Sequence, residues 1–297
     1  MALARVCLNT GLLAGQLAPG SLAGYQQDLA GYLRFCGDLE ALDAPTLARW
    51  RSALALQTSL SPHTINRRVS AVKRLVQEAA AQGYIDITTA DGFRRVAGVP
   101  VKALKDRLKV PTRITPGHMR QLCEAPDRNT LRGWRDRALL LTLASSGCRV
   151  SEIVSLTPAQ IRSEAGSFFL EVLGKNQTAP RLAPLSHEAY AAVQAWLARR
   201  PVESESAYVF TSIPGQGTRP TARPLDRSAA WRIVAHAAAA VGLQHVSPHS
   251  FRRFVGTELA RKDIRQAQKA LGHARIETTA RHYVLDELVG GLTDGLF

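Results

Sequence analysis

The residues best equipped for chemistry lie in four short stretches of the chain's second half. In Ser145-Ser146-Gly147-Cys148-Arg149-Val150-Ser151-Glu152, Gly147 can end one helix in a left-handed turn while another starts at once. That places Arg149 in the first turn of the second helix, where free N–H groups and the helix dipole favour an anion. Glu152, three residues on, can steady the guanidinium, although an ordinary surface ion pair on a helix is the plainer explanation of this pair taken alone. Gly174-Lys175 falls where turn chemistry is expected, and a turn lysine projects far enough to reach a substrate. Solvated hairpin lysines share that description. In Ser247-Pro248-His249-Ser250-Phe251-Arg252, Ser247 caps a helix and Pro248 opens it, so His249 and Arg252 stand side by side at its positive end. Such a pair suits a phosphate, and equally an ordinary polar helix start. The fourth stretch, Leu271–Tyr283, has Gly272 stopping a helix and exposing His273, then Thr278 or Thr279 capping a short helix that carries Tyr283. A tyrosine among Arg and His is a candidate nucleophile, because nearby cations favour the deprotonated oxygen. A half-buried packing tyrosine is the plainer alternative. His245 and His249 do not read as a metal pair: Pro248 interrupts their helical face, and no carboxylate or cysteine ligand is near.

Elements must hold these stretches in place. Residues 21 to about 90 read as helical. Ser21 is expected to cap a helix over Leu22–Cys36, Pro45 opens another over Thr46–Leu56, and Ser61-Pro62 starts a third that Gly83 closes. The third has an apolar stripe (Ile65, Val69, Val72, Leu75) and carries Arg67, Arg68, Lys73 and Arg74. Residues 94–113 are rich in Lys and Arg with Pro100, Pro111 and Gly98, which reads as a basic linker or a plain solvated one. Further helices are expected over 116–125, 131–145, 149–155, 187–200, 226–241, 248–261 and 263–271. Ser167–Leu173 and Arg181–Leu185 read as two strands joined through Gly174-Lys175-Asn176-Gln177. The fold class is therefore mainly α with a small antiparallel β-sheet. The expected division is a helical domain over 1–95, a linker over 96–113 and an α+β domain over 114–297, with a tail over 284–297.

Length and charge narrow the partners. A chain of 297 residues accommodates about two domains. With 38 Lys+Arg against 24 Asp+Glu, its net charge is +14 and its pI about 10.3. Such a field attracts polyanions, nucleic acid before anionic membrane. The longest apolar-rich stretch, Ala138–Ala144, is too short to span a bilayer. Asn9, Thr10 and Gly11 interrupt the apolar N-terminus, so no export signal is read. Cys7, Cys36, Cys123 and Cys148 form no CxxC pair, which fits neither zinc nor a disulfide frame and suits a reducing cytoplasm.

Taken in order, these residues resemble the tyrosine recombinase family, the phage integrases and Xer-like proteins. The resemblance covers most of the chain. Residues 21–90, with Ser61-Pro62-His63-Thr64-Ile65-Asn66-Arg67-Arg68, resemble the family's core-binding domain, and 114–297 its catalytic domain. The family's catalytic set falls on Arg149, Lys175, His249 with Arg252, His273 and Tyr283, with Glu152 in support. Arg253 follows Arg252 where many relatives have His. Tyr283 stands ten residues after His273 where many have nine, and the nine-residue position holds His282. Tyr283 is the assigned nucleophile, since relatives with His-Tyr at this place occur.

The resemblance implies a recombinase that cleaves and rejoins DNA strands through a 3′-phosphotyrosyl intermediate and a Holliday junction, without metal, cofactor or ATP. It implies double-stranded DNA with specific recombination sites as partner, a free monomer, and a homotetramer on DNA, with accessory proteins unidentified. Arg67, Arg68, Lys73, Arg74, Lys102, Lys105 and Arg107 are the expected DNA contacts. The alternatives are a type IB topoisomerase-like strand transferase and a non-catalytic DNA-binding relative. In Val284–Phe297 the helical spacing of Leu285, Leu288, Val289 and Leu292 suggests a tail that docks on a neighbouring protomer or folds back on its own domain.

Overall fold

The computed structural model of the chain describes residues 3–4, 8–37, 41–108, 112–174, 177–201, 206–214 and 220–283. Lys175, His282's side chain and the tail 284–297 lie outside the described parts. The chain divides into two compact units, Met1–Val110 and Pro111–Phe297.

The first unit is helical. It comprises α1 (Pro19–Cys36), α2 (Ala44–Gln57), α3 (Pro62–Ala81) and α4 (Ile87–Arg95), with a short backbone pairing of β1 (Leu3–Ala4) and β2 (Ala41–Leu42). Helix α1 starts at Pro19, two residues before the expected cap Ser21, because Pro19 itself supplies the preset φ of a first helical position. Asp43 and Ser61 cap α2 and α3 through the N–H groups of Thr46 (2.7 Å) and Thr64 (3.3 Å). Helix α3 is the axis of the unit. Its Ile65, Val72, Leu75 and Val76 are fully buried against α1, α2 and α4, where Tyr32 meets Trp50 at 5.2 Å between ring centroids. Each such side chain contributes roughly 1.5–3 kcal/mol relative to exposure. Residues 97–108, which fall within the expected linker, pack on this unit. Asn66 clasps Val99 through both backbone groups (2.7 and 3.0 Å), and the 3-10 turn Val101–Arg107 is tied by Arg107 Nη1 to the Thr58 carbonyl (2.8 Å).

The second unit is a helical body with one small sheet. Its helices are α5 (Pro116–Glu124), α6 (Leu131–Ser146), α7 (Val150–Val154), α8 (His187–Arg199), α9 (Arg227–Ala240), α10 (Pro248–Lys262), α11 (Ile264–Leu271) and α12 (Ile276–Tyr283). The strands β3 (Ile161–Glu164), β4 (Ser167–Val172) and β5 (Arg181–Leu185) form an antiparallel sheet in sequence order. Strand β3 was not expected. Its turn to β4 is Ala165-Gly166, both at positive φ (47° and 78°), and alanine there gives none of the usual tight-turn signal. The core gathers around α6, whose Ala138, Leu139, Leu140 and Leu143 are fully buried with Trp196, Phe210 and Phe251.

Candidate active site

The site grows out of two helix ends. Helix α6 stops at Gly147, which takes the left-handed conformation (φ 61°, ψ 15°) and bonds back to the Leu143 carbonyl (3.2 Å). A Cβ at Gly147 would lie 3.0 Å from both Val255 and Leu271, so this turn is pressed against α10 and α11. Helix α11 likewise stops at left-handed Gly272 (φ 66°). Arg252, one turn into α10, donates from Nη1 to the Gly147 carbonyl (2.8 Å) and from Nη2 to the Leu271 carbonyl (2.7 Å). One buried guanidinium thus satisfies the negative ends of two helices. Burial pulls Arg252 below the usual guanidinium value, and its interaction with the Tyr283 hydroxyl acts in the opposite sense.

Nη2 of Arg252 also meets His273 Nε2 at 3.1 Å. A guanidinium only donates, so Nε2 accepts; in neutral His273, Nδ1 then carries the proton and donates to Thr279 Oγ1 at 2.9 Å. Thr279 is buried within α12 rather than capping it, and Thr278 is likewise inside that helix. The hydroxyl's partner is the histidine, so its value lies in holding the ring. Tyr283, at the end of α12 and 3% exposed, stacks on His273 with centroids 5.5 Å apart and planes 18° apart. Its ring lies over Gly256 of α10, where a Cβ would come within 2.4 Å of it.

Arg149 is the N-cap of α7 rather than a residue of its first turn. Its N–H is given to Glu152 Oε2 (2.8 Å) and its Nη1 to Glu152 Oε1 (3.0 Å). The carboxylate therefore takes the backbone donor expected to face an anion; the guanidinium, about one-third exposed, is the group left facing outward. Glu152 is buried, and Arg181 of β5 grips it from the other side (Nη2–Oε2 3.0 Å). Burial works against the Glu152 charge, but the hydrogen bond and charge of Arg181, then those of Arg149, outweigh it and hold the carboxyl below its usual range.

Arg252, His273 and Tyr283 are thus brought together, and Arg149 stands two residues past Gly147, whose carbonyl Arg252 holds. His249 is exposed in the first turn of α10, one helical turn before Arg252. Lys175 lies outside the described residues, and the neighbours that bracket it, Gly174 and Gln177, bond to each other (3.1 Å). Sequence reasoning missed Arg181, Gln177, Thr279 and Gly256. In the sequence Arg181 and Gln177 read only as strand and turn residues, and Thr279 only as a cap.

The cations expected to contact DNA divide by their partners. Arg67 is exposed while its fork grips buried Asp28 (Nη2–Oδ1 3.0 Å, with a second contact from Nη1), and Arg68 lies 3.8 Å from the same carboxylate. Lys73 donates to the Arg94 carbonyl (3.1 Å) and to that of Val96, closing α4; burial, then the charge of Arg51, lowers its pKa. Arg74 is exposed and bonds Gln16 (2.8 Å), Lys102 and Lys105 are exposed, and Arg107 is half-buried. Among the described residues, no helix is long and apolar enough to cross a membrane.

Comparison with known proteins places this architecture. Residues 112–287 match the model of the phage integrase family, and residues 10–83 match that of the phage integrase N-terminal SAM-like domain. The chain is 30% identical over 282 residues to tyrosine recombinase XerC of Pelobacter propionicus, with 92% of this chain and 88% of that protein covered. It is 32% identical over 282 residues to tyrosine recombinase XerD of Neisseria meningitidis serogroup B, covering 92% and 89%. In fold it is similar to the Tn1549 transposon integrase in complex with circular intermediate DNA (TM-score 0.70, 16% identity, 97% of each chain). It is also similar in fold to the XerH site-specific recombinase bound to palindromic difH substrate (TM-score 0.69, 21% identity, 90% and 77% covered). With its helical first unit, its mostly helical second unit and the match running through the stretch that bears Arg149, Arg252, His273 and Tyr283, the chain belongs to the phage integrase family of tyrosine recombinases.

Proposed function

We propose that this protein is a site-specific DNA recombinase that cuts and rejoins strands through a 3′-phosphotyrosyl intermediate. The observation that carries the reading is the joining of Arg252, His273 and Tyr283 in one hydrogen-bonded and stacked cluster, with Arg149 beside it. In the reaction the Tyr283 oxygen attacks the scissile phosphorus. A Tyr–O–P bond forms, the bond from phosphorus to the 5′ oxygen breaks, and the 5′ end leaves as a hydroxyl. Rejoining is the reverse, with the 5′-hydroxyl of a partner strand as attacking group. One phosphodiester is traded for another of similar energy, so no ATP is called on.

Each side chain has a task in that exchange. Arg149 and Arg252 neutralise the non-bridging oxygens as the negative charge builds, and cationic forks there do the work that divalent ions do in other phosphoryl-transfer sites. Gly147, Leu271 and His273 use three N–H bonds of Arg252, and the others serve Tyr283 and the phosphate. His273 adds a donor to the phosphate once Nε2, which accepts from Arg252 in the resting site, carries a proton. His249 accepts the tyrosine proton, and Lys175 protonates the departing 5′ oxygen. The protein is a monomer when free and a tetramer on two DNA sites, exchanging one pair of strands at a time through a Holliday junction. Phosphate contacts supply most of its affinity for double-stranded DNA.

A duplex nicked close to the cleavage point tests the reading, because the short cleaved piece diffuses away and traps the adduct. Wild type and His282→Ala are expected to form a covalent protein–DNA adduct, and Tyr283→Phe none. An adduct lost in His282→Ala and kept in Tyr283→Phe would overturn the assignment of Tyr283 as the nucleophile. Relaxation of plasmid lacking any specific site, by monomeric protein, would favour a topoisomerase-like activity instead.

A further inference from the structure

Arg181 touches more of the site's framework than its place at the start of a short strand suggests. Its side chain is only 10% exposed. Nε donates to the Ala270 carbonyl (3.1 Å) in the last turn of α11, while Nη2 and Nη1 reach the two Glu152 oxygens (3.0 and 3.4 Å). Its Cδ and Nε occupy the space that a Cβ on Gly272 would need, 2.6 and 2.7 Å away. The glycine before His273 is therefore a seat for this side chain. Gln177, on the same hairpin, makes a parallel tie. Its Nε2 donates to the Gly272 carbonyl (3.2 Å), and its Oε1 accepts the N–H of Gly174 (3.1 Å), the residue before Lys175.

We propose that Arg181, seconded by Gln177, is a positioning residue that locks the root of the Lys175 hairpin to the turn carrying His273 and to the carboxylate anchoring Arg149. The residues on either side of Lys175 and the turn that carries His273 are then tied into one frame. The inference rests on the assignment of Lys175 as the acid in the proposed reaction. Arginine is required because a planar fork spans two carboxylate oxygens and a carbonyl at once, whereas lysine offers a single point of charge. A residue serving only to neutralise buried Glu152 would have no need of Ala270, and Gln177 would have no need of Gly272.

Single-turnover adduct formation by the full chain on a nicked duplex tests this, with two versions of the scissile bond. One is the ordinary phosphodiester. The other has sulfur as the bridging 5′ atom, which departs as thiolate without needing a proton. On the ordinary bond, Arg181→Met and Gln177→Leu are expected to lose about 100-fold in rate, the lower end of a general acid's contribution. On the sulfur bond both are expected to return to within about tenfold of wild type, and Arg181→Lys to fall between. Equal losses on both bonds would overturn the proposal, assigning Arg181 to the Arg149 anchor alone, and undiminished rates on the ordinary bond would overturn it as well. Gln177→Leu leaves the buried Glu152–Arg181 pair intact, so the test survives if Arg181→Met unfolds. No adduct from wild type on either bond would remove the recombinase reading, a failure distinct from normal wild type beside unaffected variants.

Discussion

Glu152 shows how a single residue ties stability to the site. The residue types and spacing suggested a carboxylate steadying Arg149, and the pair forms. What spacing could not reveal is that the carboxylate is buried and shared with Arg181, from a strand 29 residues away. Removing one member of such a buried group leaves the others uncompensated, at a cost of about 3 kcal/mol. Glu152→Gln is therefore expected to lower the urea midpoint clearly at pH 7. Its dependence on pH has a definite sign. The folded Glu152 is held below the usual carboxylate range, so folded protein binds fewer protons there than unfolded protein. That stabilisation is complete above the ordinary value of about 4.3 and is lost as pH falls through the folded value. The gap between wild type and Glu152→Gln should narrow when the urea titration is repeated at acid pH. A gap that widened in acid would show that the charged carboxylate is not what stabilises this centre.

At the scale of elements, the helices were legible because their ends are written locally. Ser61-Pro62, Thr115-Pro116, Gly147 and Gly272 each combine a cap or stop with the adjoining apolar period, and the helices begin or end there. Helix α4 went unread as a separate element although Asp86 caps it, because the basic run that follows dominates its composition. The packing between helices was not legible, and Gly256 is the clearest case. A lone glycine inside α10 reads as a weak point in a helix, yet it is where the Tyr283 ring lies. Gly256→Ala sets two effects against each other. Helix propensity gains roughly 1 kcal/mol, while a Cβ at 2.4 Å from the ring forces α12 outward at an overpacking cost of roughly 1–3 kcal/mol. The two together leave roughly 0–2 kcal/mol of net destabilisation, so the melting temperature should stay level or fall by a few degrees. The tyrosine, displaced by about 1 Å, should lose on the order of 100-fold in adduct formation. An adduct rate within threefold of wild type would mean that Tyr283 does not use this seat when it reacts.

For the molecule as a whole, net charge pointed to a polyanion, but it could not say which cations meet it. Both units match family models, and the first carries a basic helix, α3, whose arginines and lysine look alike in sequence. Folding separates them, because their partners come from elsewhere in the chain. Arg67 and Arg74 emerge on the exposed side of α3 with His63 and Ser70, at the spacing of one helical face. Lys73 donates hydrogen bonds to the carbonyls of Arg94 and Val96, a structural cap that composition alone counts as a DNA contact. The salt dependence of binding distinguishes the two kinds of residue, since each phosphate neutralised contributes about 0.9 to the slope of log affinity against log salt. Arg74→Ala should flatten that slope by about 0.9 and leave thermal stability nearly unchanged, because its one hydrogen bond, to Gln16, is exposed. Lys73→Met should do the reverse, lowering the melting temperature of the first unit while the slope stays as in wild type. Fluorescence-anisotropy titrations of a labelled duplex across a salt series, paired with melts of the same variants, measure both quantities. If Lys73→Met flattened the slope as much as Arg74→Ala, the capping lysine would have to let go of α4 on binding, and the first unit would rearrange as it grips DNA.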